Sequence, residues 1–94
     1  MYELDFDEAA WEEWQRLDHA VRSQAAKKLA KVLEHPHNPA NALHGDLAGC
    51  YKVKLLKAGV RIVYTVEDDR LVVLVLAVGK RDKSAAYRAA EQRR

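Results

Sequence analysis

The chain has 94 residues, of which 49% are hydrophobic and 32% are charged. This balance excludes a disordered chain and is typical of one small globular domain, so we expect a single domain over residues 1–94. The longest apolar run, residues 71–78, is far shorter than the roughly 20 residues of a membrane-spanning helix. A single cysteine excludes an internal disulfide, and the acidic start Met1–Asp5 lacks the basic residues of a signal peptide. We therefore expect a cytoplasmic protein.

The net charge of +2 hides an uneven distribution along the chain. Residues 1–51 contain 5 Lys or Arg against 9 Asp or Glu, whereas residues 52–94 contain 11 against 5. The C-terminal half is therefore expected to carry a basic face that suits an anionic partner such as nucleic acid. An ordinary solvated surface would give the same counts.

The N-terminal segment predicts a strand followed by two helices. Tyr2, Leu4 and Phe6 alternate with acidic residues, as in a strand with one buried face. Asp7 is placed to cap a helix that begins at Glu8.

The two predicted helices form a helical hairpin that packs on a sheet. Trp11 and Trp14 fall at helical spacing and are expected to anchor the core. Asp18 is expected to end the first helix and cap the second. The second helix has an apolar stripe that comprises Val21, Ala25, Leu29 and Val32. Its lysines, Lys27, Lys28 and Lys31, either form a charged face in solvent or touch nucleic acid or a partner.

A proline-containing loop follows the second helix. Pro36 cannot continue a helix, so the segment from His35 onward is expected to be irregular. His35 and His37 have the spacing of a metal pair, but no third or fourth ligand lies at a suitable spacing and Cys50 is a candidate only by elimination, so we expect no metal site. His44, later in the loop, is either a surface histidine or a peripheral residue of a functional site.

The stretch Cys50–Tyr64 predicts two strands joined by a tight turn at residues 57–59. Lys52 and Lys54 share one face of the first strand, and Arg61 lies near the start of the second. Three cations close together on a small sheet predict an anionic partner, and phosphate is our working hypothesis.

The segment Leu71–Val78 is apolar on both faces and predicts a central strand. It leads into Gly79, Lys80 and Arg81, where the chain leaves the core. A final helix is expected over residues 83–91, capped by Asp82 or Ser84. This helix carries Tyr87 and little other apolar surface, so it is expected to dock weakly.

Four cations and one tyrosine form the candidate site. If the strands pair as expected, these residues converge at one end of the sheet; the alternative is scattered surface charge with a packing tyrosine. The five are Lys52, Lys54, Arg61, Arg81 and Tyr87.

The chain resembles the RelE toxins of bacterial toxin–antitoxin pairs. Four segments carry the resemblance, which extends nearly end to end: Leu4–Glu8, Cys50–Leu55, Gly59–Tyr64 and Val78–Arg81. The resemblance implies an α+β fold, a small antiparallel sheet with an N-terminal helical hairpin on one face and a C-terminal helix. It also implies a ribosome-dependent endoribonuclease that cuts mRNA in the ribosomal A site, inhibits translation, and is neutralised by a RelB-like antitoxin. Operator DNA would be bound only through the antitoxin complex.

The resemblance also implies roles for individual residues. The catalytic lysines of the family fall on Lys52 and Lys54, its arginines on Arg61 and Arg81, and its tyrosine on Tyr87. The chain departs from the family in the loop before the hairpin, where His44 replaces an arginine and residues 45–49 form a slightly longer segment. His44, Lys57 and Lys80 are further candidates for contact with RNA.

The chemistry suits these residue types. Cleavage of RNA requires a base for the ribose 2′-OH and positive charge for the phosphorane, a pentavalent phosphate intermediate. A lysine is a poor base at neutral pH unless neighbouring cations disfavour its charged form. We assign Lys54 as the base, with Lys52 orienting or sharing the proton, and expect no cofactor or metal. Two rival functions stay open: a ParE-like toxin that inhibits gyrase, and a non-catalytic RNA- or ribosome-binding module.

Overall fold

The structure, a computed structural model, describes residues 1–80 and 85–94. It contains a four-stranded sheet in the order β1-β4-β3-β2. The strands are β1 (Glu3–Phe6), β2 (Cys50–Leu55), β3 (Val60–Glu67) and β4 (Val72–Lys80). The β2–β3 and β3–β4 pairs are antiparallel, whereas β1 runs parallel to β4.

The α+β fold is confirmed, but the expectation of a purely antiparallel sheet is wrong for β1. Parallel strands need a long crossover connection. Helices α1 (Glu8–Gln15) and α2 (His19–Glu34), with the β2–β3 hairpin, lie between β1 and β4 in the chain and provide that length. The sheet is therefore mixed.

The helices lie on opposite faces of the sheet. Helices α1 and α2 pack on the face formed by alternate residues such as Val53 and Ile62. Helix α3 (Ala85–Arg93) packs on the other face, against Cys50, Val63 and Leu76. Two short 3-10 turns, Pro39–Asn41 and Gly45–Leu47, lead into β2. Among the described residues, no helix is long and apolar enough to cross a membrane.

Local sequence signals explain most of the helix boundaries. The Asp7 carboxylate accepts hydrogen bonds from the backbone N–H groups of Ala9 and Ala10, at 3.0 and 3.3 Å, and so caps α1 as expected. Asp18 occupies the capping position of α2, but its side chain makes no capping hydrogen bond. Trp14 is buried, whereas Trp11 is 45% exposed and packs edge-on against Phe6, so only one tryptophan is a core anchor.

Two turns shape the ends of β3 and β4. The β2–β3 turn closes with a hydrogen bond from the Gly59 N–H to the Leu56 carbonyl, and Gly59 has a φ of +65°, which glycine adopts without strain. Leu71 was expected to begin the central strand. It instead ends the β3–β4 turn with a φ of +55°, and β4 runs from Val72 to Lys80.

Candidate active site

The β2–β3 hairpin brings the predicted cations together on one face of the sheet. Lys54 lies directly opposite Arg61, and Lys52 lies opposite Val63. Opposed residues of antiparallel strands project to the same face, and residues two apart on one strand do the same. Lys52, Lys54 and Arg61 therefore share the face that α3 covers.

Helix α3 completes this cluster with its tyrosine. The Cζ atom of Arg61 lies 4.3 Å from the centroid of the Tyr87 ring, which is cation–π geometry. Arg61 is also paired across the sheet with Gly79 of β4. A methyl group at Gly79 would lie 3.6 Å from the Ala86 Cβ, so the first turn of α3 passes directly over this strand position. This close approach sets Tyr87 above Arg61.

The Arg61 guanidinium contains an unsatisfied buried donor. Its Nε atom is buried and has no hydrogen-bond partner among residues 1–80 and 85–94. A buried donor without a partner costs about 1–3 kcal/mol, more when it is charged, and such groups mark strained or functional positions. Guanidinium groups match phosphate geometry, so an arginine held beside a tyrosine on a cationic face suits a phosphate ligand.

The two lysines are half-buried and lie on an edge strand. Among the described residues, β2 is the last strand of the sheet, and its outer edge is paired only at the isolated bridge between Ala42 and Tyr51. The Lys28 Nζ donates a hydrogen bond of 2.7 Å to the backbone carbonyl of Lys54. This bond fixes the position of β2 next to Arg61 from the side of α2.

The remaining predicted residues are placed less closely. Arg81, with the proposed caps Asp82 and Ser84, lies outside the described residues. Lys80 is exposed at the end of β4, opposite Val60 and one pair along from Arg61. His44 and Lys57 are exposed in loops, and within the described part of the chain no recorded contact joins either residue to Arg61 or Tyr87.

The sequence did not reveal how firmly α3 is held. The Arg93 guanidinium donates to both carboxylate oxygens of Glu13, at 2.8 and 3.0 Å, and also to the Leu76 carbonyl. The same carboxylate accepts from the Val78 N–H, and its hydrogen bonds raise the pKa of Arg93. Arg94 donates to the Asp46 carbonyl at 2.9 Å. These contacts were not expected from the sequence, where only the opposite charges of Glu13 and Arg93, 80 positions apart, could have signalled them. Weak docking of α3 stays a prediction.

A second polar cluster lies away from the cations, where the loop after α2 meets the β3–β4 turn. Tyr2 and the Nε2 of His37 each donate to the Asp68 carboxylate at 2.7 Å. These two hydrogen bonds, of which the one from Tyr2 has the larger effect, hold the pKa of Asp68 below its usual value. The Nδ1 of His37 lies 3.0 Å from the Tyr51 hydroxyl. His37 thus holds the loop, and the described residues contain no group of three potential metal ligands.

Comparison with known proteins matches nearly the whole chain. A family model described as the ParE toxin of type II toxin-antitoxin systems, parDE, matches residues 4–85. The mRNA interferase toxin RelE of Escherichia coli strain K12 is 50% identical over 92 residues, which cover 98% of this chain and 96% of that protein. The mRNA interferase RelE of Shigella flexneri gives the same values.

Solved structures agree with this assignment. A mutant of the E. coli toxin RelE in the free state has a TM-score of 0.89 and 49% identity, covering 98% of this chain and 96% of that one. The toxin chain in the intact E. coli RelBE toxin-antitoxin complex has a TM-score of 0.81 and 51% identity, covering 85% and 96%. The chain therefore belongs to the RelE toxin family of bacterial type II toxin–antitoxin systems, within the RelE/ParE superfamily.

Proposed function

We propose that this chain is an mRNA interferase, an endoribonuclease that cuts mRNA on the ribosome and so inhibits translation. Relatives that are half identical over nearly the whole chain are named mRNA interferases. The observation that carries the proposal is the convergence of Arg61, Tyr87 and Lys54 on one face of the sheet. A cluster of cations beside an aromatic ring suits a phosphodiester.

The reaction starts with removal of the proton from a ribose 2′-OH. Lys54 is the base in this proposal, because it lies directly opposite Arg61 and therefore next to the phosphate that Arg61 would bind. Lys52, two residues along the same face, orients Lys54 or shares its proton. The freed 2′-oxygen forms a bond to the adjacent phosphorus, and the bond from phosphorus to the 5′-oxygen breaks. A proton returned to the 5′-oxygen gives a 2′,3′-cyclic phosphate and a 5′-OH end.

Arg61 stabilises the charge that develops on the phosphate. Its position is fixed by the Tyr87 ring, so its donors are oriented before the substrate arrives. Arg81 is the second arginine of this proposal, and Tyr87 also contacts the RNA through its ring face or hydroxyl. Residues 1–94 act as one toxin domain in this scheme.

The small size of the domain explains the need for a ribosome. The described residues that form the cluster provide few contacts to fix a flexible RNA strand. Alignment of the reacting groups is worth several kcal/mol in catalysis. The ribosomal A site supplies that alignment by holding the codon, and the protein therefore acts in the cytoplasm, where translation occurs.

A RelB-like antitoxin is the proposed partner. The toxin of E. coli has been solved in an intact RelBE toxin-antitoxin complex and with an antitoxin RelBc peptide. An antitoxin that covers the basic face around Arg61 and Tyr87 would block access of RNA. Contact with operator DNA would occur only through that complex.

The test is to map new RNA ends on ribosome-bound mRNA. Wild-type protein should produce 5′-OH ends at A-site codons, leave the same mRNA nearly intact without ribosomes, and lose activity as Lys54→Ala. Equal cutting with and without ribosomes would refute ribosome dependence. Binding to ribosomes without new ends would favour a non-catalytic binding module.

The description of the matching family model favours testing one further function. Because that description names the ParE toxin, inhibition of gyrase is the second candidate. A supercoiling assay with purified gyrase separates the two functions, and we expect no inhibition. Inhibition of gyrase does not require the lysine and arginine cluster, whereas the proposed nuclease does.

A further inference from the structure

An open groove of about 480 Å³ lies between α2, the following loop and the outer edge of β2. We name it the α2–β2 groove. The residues that matter here are Lys28, Lys31, Asn38, Asn41, Lys52 and Lys54. Its volume falls within the range of sites that hold small ligands, and the groove is partly open to solvent.

The charge of the groove selects for anions. Four lysines line it, and none of the described residues that line it is an Asp or Glu. Val53 and Leu56 also line it, and Leu56 is 66% exposed, so the wall has an apolar part beside the cations. A positively charged groove is the feature that follows the backbone of single-stranded nucleic acid.

The groove is continuous with the proposed active site. Lys52 and Lys54 line the groove, and they also share the face of Arg61. Strand β2 is an edge strand, so a chain that lies over Arg61 can cross this edge and enter the groove. An RNA strand must extend beyond the site in some direction, and the positive charge of the groove is opposite to that of the RNA backbone.

We infer that the α2–β2 groove binds the phosphate backbone of the RNA strand next to the linkage that is cut. This inference rests on the proposed function and extends it to a second contact with the same substrate. Lys31 is the main phosphate ligand. The Lys28 ammonium also faces the strand, but its hydrogen bond to the Lys54 carbonyl gives it a role in positioning β2.

Helix α2 provides a matched pair of lysines for the test. Lys31 and Lys27 are both exposed on the same helix, but only Lys31 lines the groove. Lys31→Gln and Lys27→Gln remove the same charge from the protein. Any difference between the two variants therefore reports position and not net charge.

The experiment measures binding of a short, fluorescent, fully 2′-O-methylated RNA oligonucleotide over a series of salt concentrations. Loss of one phosphate contact lowers the salt slope by about 0.7, and so weakens binding about 8-fold at 0.05 M salt and about 4-fold at 0.15 M. We expect this change for Lys31→Gln and no change in slope for Lys27→Gln. Equal slopes for the two variants, or no binding by the wild type at low salt, would overturn the inference.

A second measurement locates the oligonucleotide on the protein. In ¹⁵N-labelled wild type, the backbone amide signals of residues 28–31 and 38–41 should shift on addition of the oligonucleotide. Shifts confined to α3 and Arg61 would contradict the groove. Poly-glutamate serves as the protein-like competitor, and equal shifts at equal concentration would assign the groove to an acidic protein instead.

These readouts separate the inference from the proposed function. The methylated oligonucleotide has no 2′-OH to attack, so its binding does not depend on catalysis. If the wild type cuts mRNA on ribosomes but Lys31→Gln leaves the salt slope of oligonucleotide binding unchanged, only the inference about the groove is rejected. If Lys31→Gln lowers the salt slope but the wild type does not cut mRNA on ribosomes, only the proposed nuclease function is rejected.

Discussion

The two faces of the sheet differ in the size and polarity of the side chains that cover them. The face under α1 and α2 is filled by large residues, among them Trp14, Leu29 and Ile62. The face under α3 is covered by the small residues Ala86 and Ala90 and is held by charged groups at its margins. The first face provides stability, whereas the second leaves room beside α3 for the cationic cluster.

The largest effect should come from a cavity in the large-residue face. Leu29 is 1% exposed, and Leu29→Ala should lower the free energy of unfolding by about 2–5 kcal/mol, measured by chemical denaturation. The control is Leu56→Ala, which removes the same atoms from a side chain that is 66% exposed and should cost less than about 0.5 kcal/mol. Similar costs for both variants would mean that this face does not carry the stability.

Arg61 should show the reverse pattern, with a large effect on activity and no loss of stability. Arg61→Met keeps the apolar stem and removes the guanidinium, so cleavage at saturating ribosomes should fall about 10²–10³-fold. The free energy of unfolding should stay constant or rise, because the unpartnered Nε is lost with the head group. Arg70→Met is the control, since Arg70 is exposed and pairs with Glu67 at the far end of β3. A destabilised but active Arg61→Met variant would assign Arg61 to the fold.

The smallest effect should be local to α3. Glu13→Gln weakens the bidentate contact with Arg93 by about 1–2 kcal/mol. Amide hydrogen exchange in α3 should then accelerate about 5–30-fold, while exchange in α2 stays unchanged. Glu12→Gln changes an exposed neighbour on the same helix and should leave both rates as in the wild type. Equal acceleration in α2 and α3 would show that the two faces open together.

Much of the fold could be predicted because its signals are local. The alternation of apolar and polar residues predicted β1 and β2, and the apolar run predicted β4. The Asp7 carboxylate marked the start of α1. The direction of β1 could not be predicted, because nothing in a four-residue strand encodes which neighbour it pairs with. Leu71 was misplaced since its apolar side chain fits a strand, whereas its positive φ depends on the turn.

The candidate site was predictable in its residue types and only partly in its geometry. The pairing of Lys54 with Arg61 follows from the length of the β2–β3 turn, which the sequence shows. The stacking of Arg61 on Tyr87 depends on how α3 crosses Gly79, which is a long-range contact. The buried Nε is a property of the packed structure and has no local sequence signal.

The contact between Glu13 and Arg93 has a consequence for the order of folding. It joins residues 80 positions apart, so the loop that must close before it forms is nearly as long as the chain. Such contacts form late and are usually absent from the transition state. Strengthening this ion pair should therefore slow unfolding and leave the folding rate unchanged. The folded toxin would then last longer, although it would form no faster.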